Sequence, residues 1–152
     1  MNENFIIKEA AVEDSEKVGE VFDLYRQFYK REPDKPTSIE YIKQRLTNKE
    51  STIFFAQDEK VCIGIAQLYI TFDSLELSKK IILYDLFVRS EYRKKGVGGM
   101  LMNATKSFAE INDISGIELS TAINNNTAQS LYESLGYKQD TEYYNYYLSI
   151  KK

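Results

Sequence analysis

The sequence predicts an α/β sandwich, with a mixed and mostly antiparallel sheet of about seven strands flanked by four helices. Three observations lead there. The apolar period changes from helical to alternating near Thr52, three strong strand segments then follow with no helix between them, and a basic, glycine-rich turn hands the third of them to a helix. Consecutive strands pair antiparallel, while a strand reached through a helix can return parallel, so the sheet is mixed. At 152 residues the chain is expected to form one domain, 1–152, able to bury a core without disulfides or metals.

Each element has its own signal. Phe5 to Lys8 reads as a short opening strand, and Val18, Val21, Phe22, Tyr25, Phe28 and Tyr29 recur at helical spacing from about Asp14. Pro33 and Pro36 fall together in REPDKP, a loop between helices. After it, Thr37 and Glu40 match a capping box, and Ile39, Ile42 and Leu46 supply the stripe of a second helix. TIFFAQ, a turn at Asp58-Glu59-Lys60 and VCIGIAQLYITF make a hairpin, and IILYDLFV is the third strong strand. Val97, Leu101, Ala104, Phe108 and Ile111 form one face of the next helix. IELSTA is a strand, and AQSLYESLG is a short helix with Ala128, Leu131 and Leu135 inward and Gly136 as its C-terminal cap. GYKQ and YYNYYLSI complete the sheet, alternation dividing Tyr143, Tyr144, Tyr146 and Tyr147 between its faces.

Composition narrows the chemistry. With no His and a single Cys, zinc sites, a Ser-His-Asp triad and a Cys-His pair are excluded, so any acid or base is Asp, Glu, Tyr or Lys. Cys62 lies in the apolar run VCIGIAQLYI and reads as a buried small hydrophobe. No apolar run approaches the ~20 residues of a membrane span, so no membrane partner is expected. A net charge of -3 gives no general attraction to nucleic acid, and none is expected as a partner. MNENFIIKEAAVED lacks the basic-then-apolar order of a secretion signal, which points to a cytoplasmic protein.

RKKGVGG, between IILYDLFV and the helix that follows, carries the strongest chemical signal. The first N–H groups of a helix lack internal partners and its dipole is positive there, so an anion can be held by backbone. Glycines let the backbone approach a pyrophosphate, and Arg93, Lys94 and Lys95 can add charge-assisted contacts. A solvated basic turn is the competing reading. Neither a P-loop nor the dinucleotide fingerprint fits: no G-x-x-x-x-G-K-[ST] run occurs, and Leu101 stands where a third Gly is required.

Two motifs together resemble the GNAT superfamily of N-acetyltransferases. Arg93-Lys94-Lys95-Gly96-Val97-Gly98 matches its (Arg or Gln)-x-x-Gly-x-(Gly or Ala) loop, and Asn125, Ala128, Leu131, Tyr132, Leu135, Gly136 and Tyr137 match Asn-x-x-Ala-x-x-Leu-Tyr-x-x-Leu-Gly-(Phe or Tyr). Within it, LYRQFYKREP and LYDLFVRSEYRKKGVG look like a small subgroup that includes fungal enzymes acetylating histones, polyamines or D-amino acids. The resemblance implies a GNAT fold and acetyl-CoA as cosubstrate, with no metal. It implies that Arg93, Lys94, Lys95, Gly96, Val97, Gly98 and Gly99 hold the pyrophosphate, and that the backbone of Leu86, Phe87 and Val88, with Asn125, holds the pantetheine arm. Asn125 also suits a helix N-cap.

The resemblance further implies Tyr132 as general acid, since a phenol is protonated at neutral pH and can donate to a departing thiolate; packing in a short helix is the alternative. Related polyamine-type enzymes carry a Glu where this chain has Tyr84, with an acidic neighbour that matches Asp85. Asp85 is the only acid in its strand, placed for catalysis or for a salt bridge. Tyr25, Tyr29, Tyr69, Phe72 and Tyr84 are the candidate acceptor-binding aromatics, which suit an amine or a core equally. The expected activity is transfer of acetyl to a primary amine of a small molecule, with a protein lysine or N-terminus, or a non-catalytic acyl-CoA sensor, as alternatives. YYNYYLSI would be a liability as an open edge, so a homodimer is expected.

Overall fold

A computed structural model of the chain describes residues 4–151, which fall into one compact unit ending at Ser120 and a second beginning at Thr121. The first unit runs β1 (Phe5–Glu9), α1 (Ser15–Phe28), α2 (Lys35–Thr47), β2 (Thr52–Asp58), β3 (Val61–Asp73), β4 (Ser78–Val88), α3 (Val97–Ile111) and β5 (Gly116–Leu119). Its sheet has the order β1-β2-β3-β4-β5; the first four strands pair antiparallel and β5 returns parallel to β4. The α/β class and the mixed sheet are as the sequence predicts. No helix among the described residues is long and apolar enough to cross a membrane.

Alternation along the strands gives the sheet two apolar faces. On one, Val18, Val21 and Phe22 of α1 and Ile42 of α2 join Ile53, Phe55, Cys62 and Ile65 in a buried cluster. On the other, Phe108 of α3 meets Phe54 edge-on at 5.8 Å, and a side chain on Gly64 would come within 3.3 Å of Leu101. The buried stripe of α3 is Val97, Leu101, Met102, Thr105 and Ala109, whereas Ile111, expected to face inward, is 83% exposed at the last helical position.

One local correction concerns α2. Its N-cap is Asp34, whose carboxylate accepts from Thr37 N–H at 3.3 Å, with Pro36 in the first turn; the helix thus starts ahead of the Thr37-Glu40 box. It crosses α1 so closely at Gly19 that an added Cβ would lie 2.6 Å from the Ile39 Cα. Beside that crossing, Asp23 of α1 accepts from Ser38 Oγ at 2.7 Å, Gln27 Nε2 at 2.9 Å, Arg26 at 3.0 Å and Asp34 N–H at 3.1 Å.

The second unit contains α4 (Asn126–Ser134), started by Asn125 and followed by Gly136 at φ 92°. Residues 137–151 form no strand, so the sheet has five strands where about seven were expected. GYKQ and YYNYYLSI carry the alternating aromatic character of strands, but a strand exists only through a ladder with a neighbour, and propensity alone does not supply one. Tyr143, Tyr144, Tyr146 and Tyr147 are instead 69–91% exposed.

Candidate functional site

The site begins with an irregularity in the central strands. Gln67 of β3 pairs with Asp85, but the next residue, Leu68, pairs with Leu83, so Tyr84 is an extra residue bulged out of β4. On the opposite edge of β4, β5 pairs with Lys80 to Leu83 only, and that ladder stops one residue short of the bulge. Beyond it come Leu86, Phe87 and Val88, the segment expected to pair with a pantetheine arm.

Asp85 is 6% exposed and faces the α1 side of the sheet. Its carboxylate accepts from Gln67 Nε2 at 2.8 Å and from the Tyr25 phenol of α1. Burial raises its pKa above the ordinary carboxylate value, and the two donors only partly oppose this. Burial also raises the Tyr25 phenol, with the Asp85 charge adding to it, so Tyr25 stays protonated. Tyr25 stands edge-on to Tyr29 at 5.2 Å and to Phe87 at 6.1 Å, and Tyr69 stands edge-on to Tyr84 at 5.9 Å. Tyr69, raised by burial and by its hydrogen bond to Tyr41, also senses the Asp85 charge.

Four of the five aromatics expected around an acceptor therefore group about Asp85. Phe72 does not. It is three residues from Tyr69 on a strand of period two, which puts it on the other face, and it is 71% exposed near the end of β3. Gln67 and Ser51, which the sequence reading passed over, complete the polar group, Ser51 Oγ donating to Gln67 Oε1 at 2.7 Å. For Gln67 the sequence offered only a weak signal, an amide inside an apolar strand two residues from Tyr69 and thus on its face, and for Ser51 none.

The basic-glycine turn enters α3 through a left-handed residue. Gly96 at φ 82° is the N-cap of α3, and a Cβ added there or at Gly99 would meet no atom within 4 Å. The first N–H groups of α3 lack partners within the helix, as at any helix start, and a Cβ-sized space is open beside Gly96 and Gly99. Lys94 also takes a left-handed backbone, at φ 63°. Such a conformation costs a non-glycine residue about 1–2 kcal/mol. Arg93 ties the turn to its surroundings: its Nε donates to the Val88 carbonyl at 3.0 Å and its guanidinium lies 5.2 Å from the Phe87 ring and 5.4 Å from the Phe28 ring. Lys95 lies 5.7 Å from the Tyr92 ring. Lys95 also borders a separate cleft of about 640 Å³ beside Asp58, Glu59 and Glu91.

In the second unit, the Asn125 side chain caps α4 by accepting from Ala128 N–H at 3.2 Å, and Tyr132 packs its ring 6.1 Å from Tyr137. Cys62 takes no part: burial pushes its thiol up to about 12, far from a reactive thiolate.

A family model described as "Acetyltransferase (GNAT) family" matches residues 18–137. The chain is 38% identical over 144 residues to the Bacillus subtilis (strain 168) protein named "Uncharacterized N-acetyltransferase YhfO", covering 95% of this chain and 97% of that one. A crystal structure of a probable acetyltransferase superposes with a TM-score of 0.89 at 33% identity, over 97% of this chain and 99% of the other. The aminoglycoside N-acetyltransferase AAC(6')-Iy, solved in complex with CoA, shares the fold with a TM-score of 0.81 at 18% identity, over 99% of this chain and 98% of that one.

Proposed function

The chain belongs to the GNAT family of acetyltransferases and is an N-acetyltransferase, and on that premise we propose that it moves an acetyl group from acetyl-CoA to a primary amine of a small molecule, by direct transfer in a ternary complex. The observation that carries the acceptor class is the buried Asp85 carboxylate among Tyr25, Tyr29, Tyr69 and Tyr84. Aromatic rings and a carboxylate favour a cationic amine, and a buried base with a raised pKa can take its proton. The fold relative named for aminoglycosides, which are themselves polyamines, supports a small acceptor. The family match runs from residue 18 to 137 through both units, which supports a single acetyltransferase domain.

In this reading the ammonium loses a proton to Asp85, directly or through water, and the amine nitrogen then forms its bond to the thioester carbonyl carbon. A backbone N–H of the Leu86 to Val88 segment stabilises the charge that develops on the carbonyl oxygen. As the carbon–sulfur bond breaks, Tyr132 gives its phenolic proton to the thiolate, a role assigned through the motif it shares with the family, and the second proton that the bonded nitrogen sheds on becoming an amide returns through water to restore the phenol. The pyrophosphate lies on the helix start from Gly96 to Gly99, with Lys94 and Lys95 adding charge. Asn125 serves the pantetheine arm with its amide nitrogen while its oxygen caps α4. We further propose a homodimer. The exposed aromatic segment from Tyr143 to Ile150 supports it, because such a segment buries its surface most readily against a second copy.

Thiol release from acetyl-CoA across polyamines, D- and L-amino acids, aminoglycosides and basic peptides tests the acceptor class. Turnover is expected with one of the small amines, whereas turnover confined to peptides would replace the small-molecule reading. Tyr132→Phe should lower turnover about 100-fold with CoA affinity retained; unchanged turnover removes Tyr132 from the mechanism.

A further inference from the structure

Gln67 is an amide 1% exposed within the otherwise apolar run VCIGIAQLYI. A buried polar group left without a partner is costly, so both ends of that amide need one. Both have it: Ser51 Oγ donates to Gln67 Oε1 at 2.7 Å, and Gln67 Nε2 donates to Asp85 Oδ2 at 2.8 Å. The chain has a direction. With the amide oxygen occupied by a hydroxyl donor, the nitrogen is the end that meets Asp85, and an amide N–H can only donate. A donor to a carboxylate favours its charged form and works against the effect of burial.

We propose that Gln67, oriented by Ser51, is a positioning residue for acetyl transfer that fixes the plane of the Asp85 carboxylate and keeps it in its proton-accepting form. This rests on the reading of Asp85 as the base. The other ionisable groups around it do not supply the same support. Tyr29 at the C-cap of α1, Tyr69 of β3 and Tyr84 of β4 contribute phenols and no cation. Tyr41 and Arg45 of α2 reach Asp85 only through Tyr69, and Arg45 is directed to the Tyr41 ring at 4.3 Å and to Glu50 at 3.0 Å. Gln67 and the Tyr25 phenol are the donors that act on Asp85. Gln67 is the one tied to the sheet itself, as the cross-strand partner of Asp85.

The test needs no identified acceptor for its first arm. Carboxyl carbon NMR of the full chain follows the Asp85 titration, with the resonance assigned by its loss in Asp85→Asn. The second arm is the pH–rate profile of thiol release from acetyl-CoA, using the panel amine with the highest turnover. Gln67→Met should move the Asp85 titration and the acid limb of kcat/KM upward together by about one pH unit, a rate roughly tenfold lower on the acid side. Gln67→Glu, which keeps the shape, should move both further, because it sets a second carboxyl beside the first. Ser51→Ala should shift both less, and Ser51→Thr, which keeps the hydroxyl, should restore them. An Asp85 titration unmoved in Gln67→Met and Gln67→Glu, with turnover still lost in Asp85→Asn, overturns the role of Gln67 alone. An unchanged pH–rate profile in Asp85→Asn removes the base itself, and the positioning role with it.

Discussion

Asp23 and Asp85 are both withdrawn from water, at 3% and 6% exposure, yet their surroundings drive their protonation in opposite directions. Burial raises both. At Asp23, in the corner between α1 and α2, that effect is outweighed by donors from Ser38, the Asp34 backbone, Gln27 and the Arg26 guanidinium, and the pKa ends below its ordinary value. At Asp85 burial outweighs the neutral donors Gln67 and Tyr25, and the pKa ends above. A carboxylate with a full set of partners is committed to holding two helices together, while one with a partial set retains affinity for a proton. The number and charge of the donors, together with the depth of burial, set the two acids apart.

The comparison breaks if the two residues respond alike to removal. The largest effect belongs to Asp23→Ala, which should lower unfolding free energy by about 3 kcal/mol in urea titration, because it strands buried donors along both helices. Asp85→Asn should do the reverse, raising thermal stability at neutral pH by about 1 kcal/mol while abolishing the charge that burial penalises. The pH dependences should also be opposite. The contribution of Asp23, whose folded pKa is depressed, is present above its unfolded value and lost as pH falls through the folded one. The contribution of Asp85, whose folded pKa is raised, is full below its unfolded value and lost as pH rises through the folded one, so the gain in Asp85→Asn should vanish in acid. Tyr25→Phe is the smallest perturbation, removing one neutral donor at a cost of about 1 kcal/mol or less in the same melts.

Much of this was legible because its signals are local. The change of period near Thr52, the hairpin at Asp58-Glu59-Lys60 and the glycine turn each declare themselves within a few residues, and β2, β3, β4 and α3 lie where those signals put them. The two missing strands were not legible, since the tyrosines of YYNYYLSI state a propensity and a ladder requires a neighbour. Asp85 stood out as the lone acid of its strand. Gln67 did not, because one amide among apolar residues draws no notice until the register sets it opposite Asp85. Phe72 is a different kind of miss: an odd spacing from Tyr69 already placed the two on opposite faces.

The bulge at Tyr84 makes that position independent of its neighbours. A residue within a regular ladder answers to the pairing on both sides, but Tyr84 has no opposite number on β3, and the β5 ladder has already stopped at Leu83. Its side chain is 67% exposed, beside Asp85 in sequence and against Tyr69 in space. Exchange of that side chain is therefore expected to leave strand register and core packing intact and, under the proposed function, to alter what an acceptor meets on approach. On the proposed function, position 84 is thus a point of evolvability, where a side chain beside the acceptor can be exchanged without disturbing the sheet.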